Sequence, residues 1–112
     1  MVMEGRMNAV KEDVEKLVQK ELEFTKQIFE ESFHSYHEGY SIILEEVDEA
    51  RDELQEIDFK MGGFWRAVKE NDIYAKECAK AISHRAINLA CEAIQVAAMA
   101  QKFIDSQKVR NI

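Results

Sequence analysis

Glu46 and Glu49 stand three residues apart in the stretch Leu44-Glu45-Glu46-Val47-Asp48-Glu49. On a helix this spacing sets both carboxylates on one face, about 60° from each other. That face borders the apolar stripe of Val47 and Leu54 rather than opposing it. Two like charges at a partly dry rim repel, and a hard divalent cation with oxygen ligands is the natural neutraliser. The plain alternative is a solvated acidic face. Further on, Glu92 and Gln95 repeat the three-residue spacing, and Glu92 is the only acidic residue between Glu77 and Asp105. It sits among Ala90, Cys91, Ala93, Ile94, Val96 and Ala97, and a lone carboxylate in such a packing segment needs a partner. A metal shared with Glu46 and Glu49 is one such partner, and Arg85 or a lysine of a neighbouring helix is another.

Other groups are weaker candidates. Lys60, Arg66 and Lys69 flank a glycine pair and suit an anion, although a plain surface charge is the better single reading of each. Arg85 and Asn88 precede Glu92 by two turns and one turn. Trp65, the single tryptophan, is a stacking candidate or a cap on an apolar contact. His34 and His37 lack a third soft ligand for zinc. Cys78 and Cys91 lie about 20 Å apart if one helix holds both, too far for a disulfide, and read as reduced thiols.

The elements that must position these groups are helices. The chain has 112 residues, no proline and four glycines, too little punctuation for a sheet with many tight turns. Hydrophobic residues make up 46% and charged residues 33%, the balance of a globular chain rather than a disordered one. The periodicity predicts a first helix over 8–33, a second over 40–58, a short third around Phe64 to Val68, and a long last helix over 73–106. The expected stripe of the first is Val10, Val14, Leu17, Phe24 and Ile28, widened by Val18, Leu22, Phe29 and Phe33. Gly39 is expected to serve the first turn, Met61-Gly62-Gly63 the second, and Asn71-Asp72 to end the short helix and cap the last. The expected fold is therefore all-α: an antiparallel bundle of three long helices plus a short one, a single domain over 1–112. Stripes on several helices exceed what so short a chain covers, which predicts completion as a homodimer or tetramer.

Net charge is −7, and residues 38–58, with nine acidic groups against one basic, hold more than all of it. With no segregated basic patch, nucleic acid is not an expected partner. No apolar run reaches transmembrane length and no leader pattern opens the chain, so a cytoplasmic setting is expected, or a host cytoplasm for a phage protein.

The stretch from His37 to Glu49 (HEGYSIILEEVDE), followed by Glu92 to Ala100 (EAIQVAAMA), resembles the MazG-like all-α nucleoside-triphosphate pyrophosphohydrolases, most of all their short, phage-type members. The resemblance spans about 32–106. The family carries EExxE on one helix and ExxD on another, four carboxylates that bind Mg²⁺. By position Glu45, Glu46 and Glu49 match the first motif and Glu92 the glutamate of the second, while Gln95 stands where aspartate is usual. The gap from Glu49 to Glu92 is also longer than the family spacing. The resemblance implies Mg²⁺-dependent hydrolysis, with Mn²⁺ as the alternative ion, of a nucleoside or deoxynucleoside triphosphate to the monophosphate and pyrophosphate. Glu46, Glu49 and Glu92 are then metal ligands, with Gln95 a further oxygen donor, and Glu45 orients or deprotonates the water. Arg85, Asn88, Lys60 and Trp65 are the candidates for holding substrate. The competing expectation is a non-catalytic helical dimer, a nucleotide-binding or regulatory module on the same scaffold.

Overall fold

The computed structural model describes residues 4–110, with side chains from 10 to 107. Three helices account for nearly all of it: α1 (Glu4–Ile28), α2 (Tyr36–Lys69) and α3 (Ala75–Arg110), with no strand among the described residues. The expected short helix is absent as a separate element, because α2 runs unbroken through Met61, Gly62 and Gly63. A helical glycine costs about 1 kcal/mol relative to alanine, too little to break a helix whose neighbouring turns keep their hydrogen bonds. The break comes at Asn71, which has a φ of 55°. Its N–H donates to the Val68 carbonyl at 3.1 Å and the Asp72 N–H to the Ala67 carbonyl at 2.8 Å, the paired closure of a helix by a left-handed residue. The Asp72 carboxylate then accepts from the Tyr74 N–H at 2.9 Å and starts the chain into α3. Asn71 thus ends α2 as the sequence predicts, whereas the Asp72 side chain closes a turn ahead of α3 instead of capping its first residues.

The first joint differs from expectation at both ends. α1 stops five residues before Phe33, whose N–H is used elsewhere: it donates to the buried Ser106 hydroxyl at 2.8 Å, and that hydroxyl donates to the Lys102 carbonyl at 2.7 Å. α2 starts four residues before Tyr40 because Ser35 caps it. The Ser35 hydroxyl accepts from the Glu38 N–H, and the Glu38 carboxylate accepts from the His34 N–H, each at 3.1 Å. Gly39 is therefore not a turn residue. It lies buried inside α2, where its missing side chain makes room for the Phe103 ring, and a Cβ there would also stand 3.2 Å from the Phe33 ring.

The chain divides into two compact units, one formed by residues up to Glu45 together with those from Ile94 onward, the other by Glu46–Ala93. The first holds the core of Leu22, Phe33, Ala98 and Met99, with Val18, Ile42, Ile43 and Phe103 packed on it. On α1 the buried side is therefore that of Val18 and Leu22, while Val10, Val14, Leu17, Phe24 and Ile28 of the expected stripe stay exposed. The second unit is a hairpin of residues 46–69 of α2 and 75–93 of α3.

Candidate metal centre

Helix geometry alone places Glu46 and Glu49 on neighbouring positions of one face of α2. Pairing of the two hairpin helices adds Glu92 from α3. One carboxylate oxygen from each of the three lies within 4.8 Å of the others. Glu46 and Glu92 are half-buried and Glu49 is exposed, so the group sits at a rim with access from solvent.

The electrostatics of the cluster follow from that crowding. Burial lifts the Glu92 carboxyl above the ordinary glutamate range; a hydrogen bond to Glu49 and the negative charges of Glu49 and Glu53 push the same way. A carboxyl crowded by other carboxylates responds in this way. An all-carboxylate oxygen set of this kind suits a hard dication such as Mg²⁺ or Mn²⁺.

Two neighbours complete the surroundings. Arg85 of α3 reaches Glu53 of α2, with Nη1 3.4 Å from Oε1 and 3.5 Å from Oε2. Arg85 was a substrate candidate from sequence; in the folded hairpin its guanidinium already has a carboxylate partner. Glu53 is the residue that sequence reasoning missed. Its signal was available: it follows Glu49 by four residues and Glu46 by seven, so it shares their face. Asn88 is half-buried one turn before Glu92.

The remaining candidates lie elsewhere. Glu45, exposed, precedes Glu46 and is not part of the three-carboxylate group. Gln95 is half-buried one turn after Glu92. Lys60 is eleven residues beyond Glu49, about 16 Å along a helix, and lines a cavity of about 670 Å³ with Phe59, Gly62, Gly63, Arg66 and Tyr74. Trp65 is exposed, and the Lys69 ammonium lies 5.5 Å from its ring centroid. The structure therefore gathers Glu46, Glu49 and Glu92, and does not bring Lys60 or Trp65 to them. Cys78 and Cys91 are free thiols, as expected. No described helix is long and apolar enough to cross a membrane.

Comparison of the chain with protein families, with curated proteins and with solved structures finds no match. The functional reading therefore stands on the three carboxylates and on the sequence pattern around them.

Proposed function

We propose that the chain is a Mg²⁺-dependent hydrolase of the MazG-like type, splitting a nucleoside triphosphate into the monophosphate and pyrophosphate. The observation that carries the reading is the meeting of Glu46 and Glu49 with Glu92, which comes from a different helix more than forty residues away. Glu46, Glu49 and Glu92 would hold the ion. Bound there, it supplies charge neutralisation for the phosphates and lowers the pKa of a coordinated water. Glu53 holds Arg85 beside the cluster, and this pairing keeps a guanidinium near the place where phosphate charge has to be met. Asn88 offers a neutral amide one turn from Glu92. Glu45 is proposed to orient the water, and Gln95 to add a neutral oxygen. A cytoplasmic homo-oligomer is the proposed working form.

The test is release of pyrophosphate from a panel of ribo- and deoxyribonucleoside triphosphates with Mg²⁺ or Mn²⁺. Turnover that Glu49→Gln abolishes supports the reading; no turnover with any nucleotide overturns it. The amide at position 95 favours a second reading, a nucleotide-binding module without turnover, and nucleotide binding without pyrophosphate release is its signature. Gln95→Asp adds a charged oxygen one turn from Glu92, and it is expected to tighten Mg²⁺ binding in a calorimetric titration. Unchanged affinity would remove position 95 from the ligand set.

A further inference from the structure

A cavity of about 670 Å³ opens on one side of the hairpin, beyond the carboxylate cluster. Its volume is that of a small-molecule site. Phe59, Gly62, Gly63 and Arg66 line it from α2; at 100° per residue they share about 100° of arc, with Lys60 beside them. Tyr74 lines it from the residue before α3. A Cβ on Gly62 or Gly63 would meet nothing within 4 Å, so the backbone there is bare and open to the cavity. No contact within the hairpin offsets the helix stability that the two glycines give up. Phe59 and Tyr74 are 81 and 66% exposed, and their rings leave surface for an apolar or aromatic group.

The charge of the cavity runs against that of the chain. Net charge is −7, yet residues 59–69 hold three basic groups and no acidic one. The Lys69 ammonium lies by the Trp65 ring. Lys60, half-buried, and Arg66 both line the cavity, and among the described residues neither has an ion-pair partner. Glu77 is the acidic group of the lining, and its carboxylate already accepts from the Lys80 ammonium at 3.3 Å. An apolar cavity with exposed rings and two cations open to a ligand suits an aromatic molecule with an anionic group. A guanidinium and an ammonium together suit a phosphate dianion.

We propose that this cavity binds an aromatic ring system carrying a phosphate, at a site separate from the carboxylate cluster. The ring lies on the bare backbone of Gly62 and Gly63 beside Phe59 and Tyr74, and Lys60 and Arg66 meet the phosphate. The assignment does not rest on the hydrolase reading, and it is tested without triphosphate and with EDTA present, so that no metal links a phosphate to the glutamates. The probe is adenosine 5′-monophosphate, and the readout is the amide signals of Gly62 and Gly63 in nitrogen–proton NMR spectra of the full chain. Both signals are expected to move saturably, with adenosine alone and inorganic phosphate alone each at least about tenfold weaker. Lys60→Ala and Arg66→Ala are each expected to weaken binding about fivefold. Gly63→Leu places a side chain in the cavity while improving helix propensity, so it is expected to keep the helical circular dichroism and lose the probe. Signals unmoved at about 1 mM probe, binding indifferent to all three variants, or inorganic phosphate binding as tightly as the nucleotide would overturn the site. Signals that move with protein concentration and not with the probe would overturn it too, in favour of a second copy over the cavity.

Discussion

The two units of this chain use apolar side chains in opposite ways. The unit formed by the described residues up to Glu45 and from Ile94 onward closes on Leu22, Phe33, Ala98 and Met99, and it buries Ser32, Gly39, Lys102 and Ser106 around them. Glu46–Ala93 buries Ala67 alone, and leaves Leu54, Phe59, Met61, Trp65, Val68, Ile73, Tyr74 and Ile87 exposed. One unit is held by interior packing of its own. The other holds the carboxylate cluster and keeps most of its large apolar side chains at the surface.

The comparison breaks most readily at Leu22, which is 1% exposed. Leu22→Ala removes packed volume from a closed core and is expected to cost about 3 kcal/mol in chemical denaturation. Leu54→Ala, at a half-exposed position, is expected to stay within about 0.5 kcal/mol. Equal losses at the two positions would mean that the units are not packed differently.

Glycines sharpen the same contrast through opposite signs. Gly39→Ala drives a methyl into the Phe103 ring, which stacks on Tyr36 at 5.5 Å and has little freedom to yield. It is expected to destabilise by about 2 kcal/mol. Gly63→Ala meets open space and is expected to stabilise by up to about 1 kcal/mol. A thermal midpoint that rises for both would show the Phe103 ring moving aside freely.

Lys102 tests the interior of the closed unit. Burial disfavours its ammonium, Lys26 adds repulsion, and Glu38 and Glu30 oppose the shift; the net effect leaves its pKa below the ordinary lysine value. The ammonium stands 4.7 Å from the centre of the Phe33 ring, which returns part of the lost hydration. Below its lowered pKa the folded protein carries the charge at a cost. Stability therefore rises as pH climbs through that value, and the contribution levels off at the ordinary lysine value. Lys102→Met is expected to add about 1 kcal/mol at neutral pH, with the gap to wild type closing as the pH is made alkaline. A gap constant with pH would assign the gain to packing alone.

The smallest effect is expected at the open site. Without a divalent cation, Glu49→Gln relieves repulsion with Glu92 and leaves stability unchanged or up to about 0.5 kcal/mol higher. Under the proposed function Mg²⁺ is expected to raise the thermal midpoint of the wild type, and that rise is expected to vanish in the variant. An apo variant that unfolds would make Glu49 a structural residue instead.

The all-helical class and the pairing of Glu46 with Glu49 on one face were legible in the sequence, because both follow from the 3.6-residue repeat, which is local. So was the stop at Asn71-Asp72, whose side chains favour a left-handed residue and a side-chain turn. The Ser35-x-x-Glu38 cap was equally local and went unread beside Gly39, whose absent side chain serves the Phe103 ring and not a turn. Other features rest on partners distant in sequence. The end of α1 depends on a Phe33 N–H taken by Ser106, 73 positions away. The choice of Val18 and Leu22 as the buried side of α1 depends on what packs against it. The meeting of Glu92 with Glu46 and Glu49, and of Arg85 with Glu53, depends on the register between two hairpin helices. Helix periodicity determines which residues share a face; which faces meet, and at what height, is decided only by packing, and that non-local choice turned three separate glutamates into one candidate cation site.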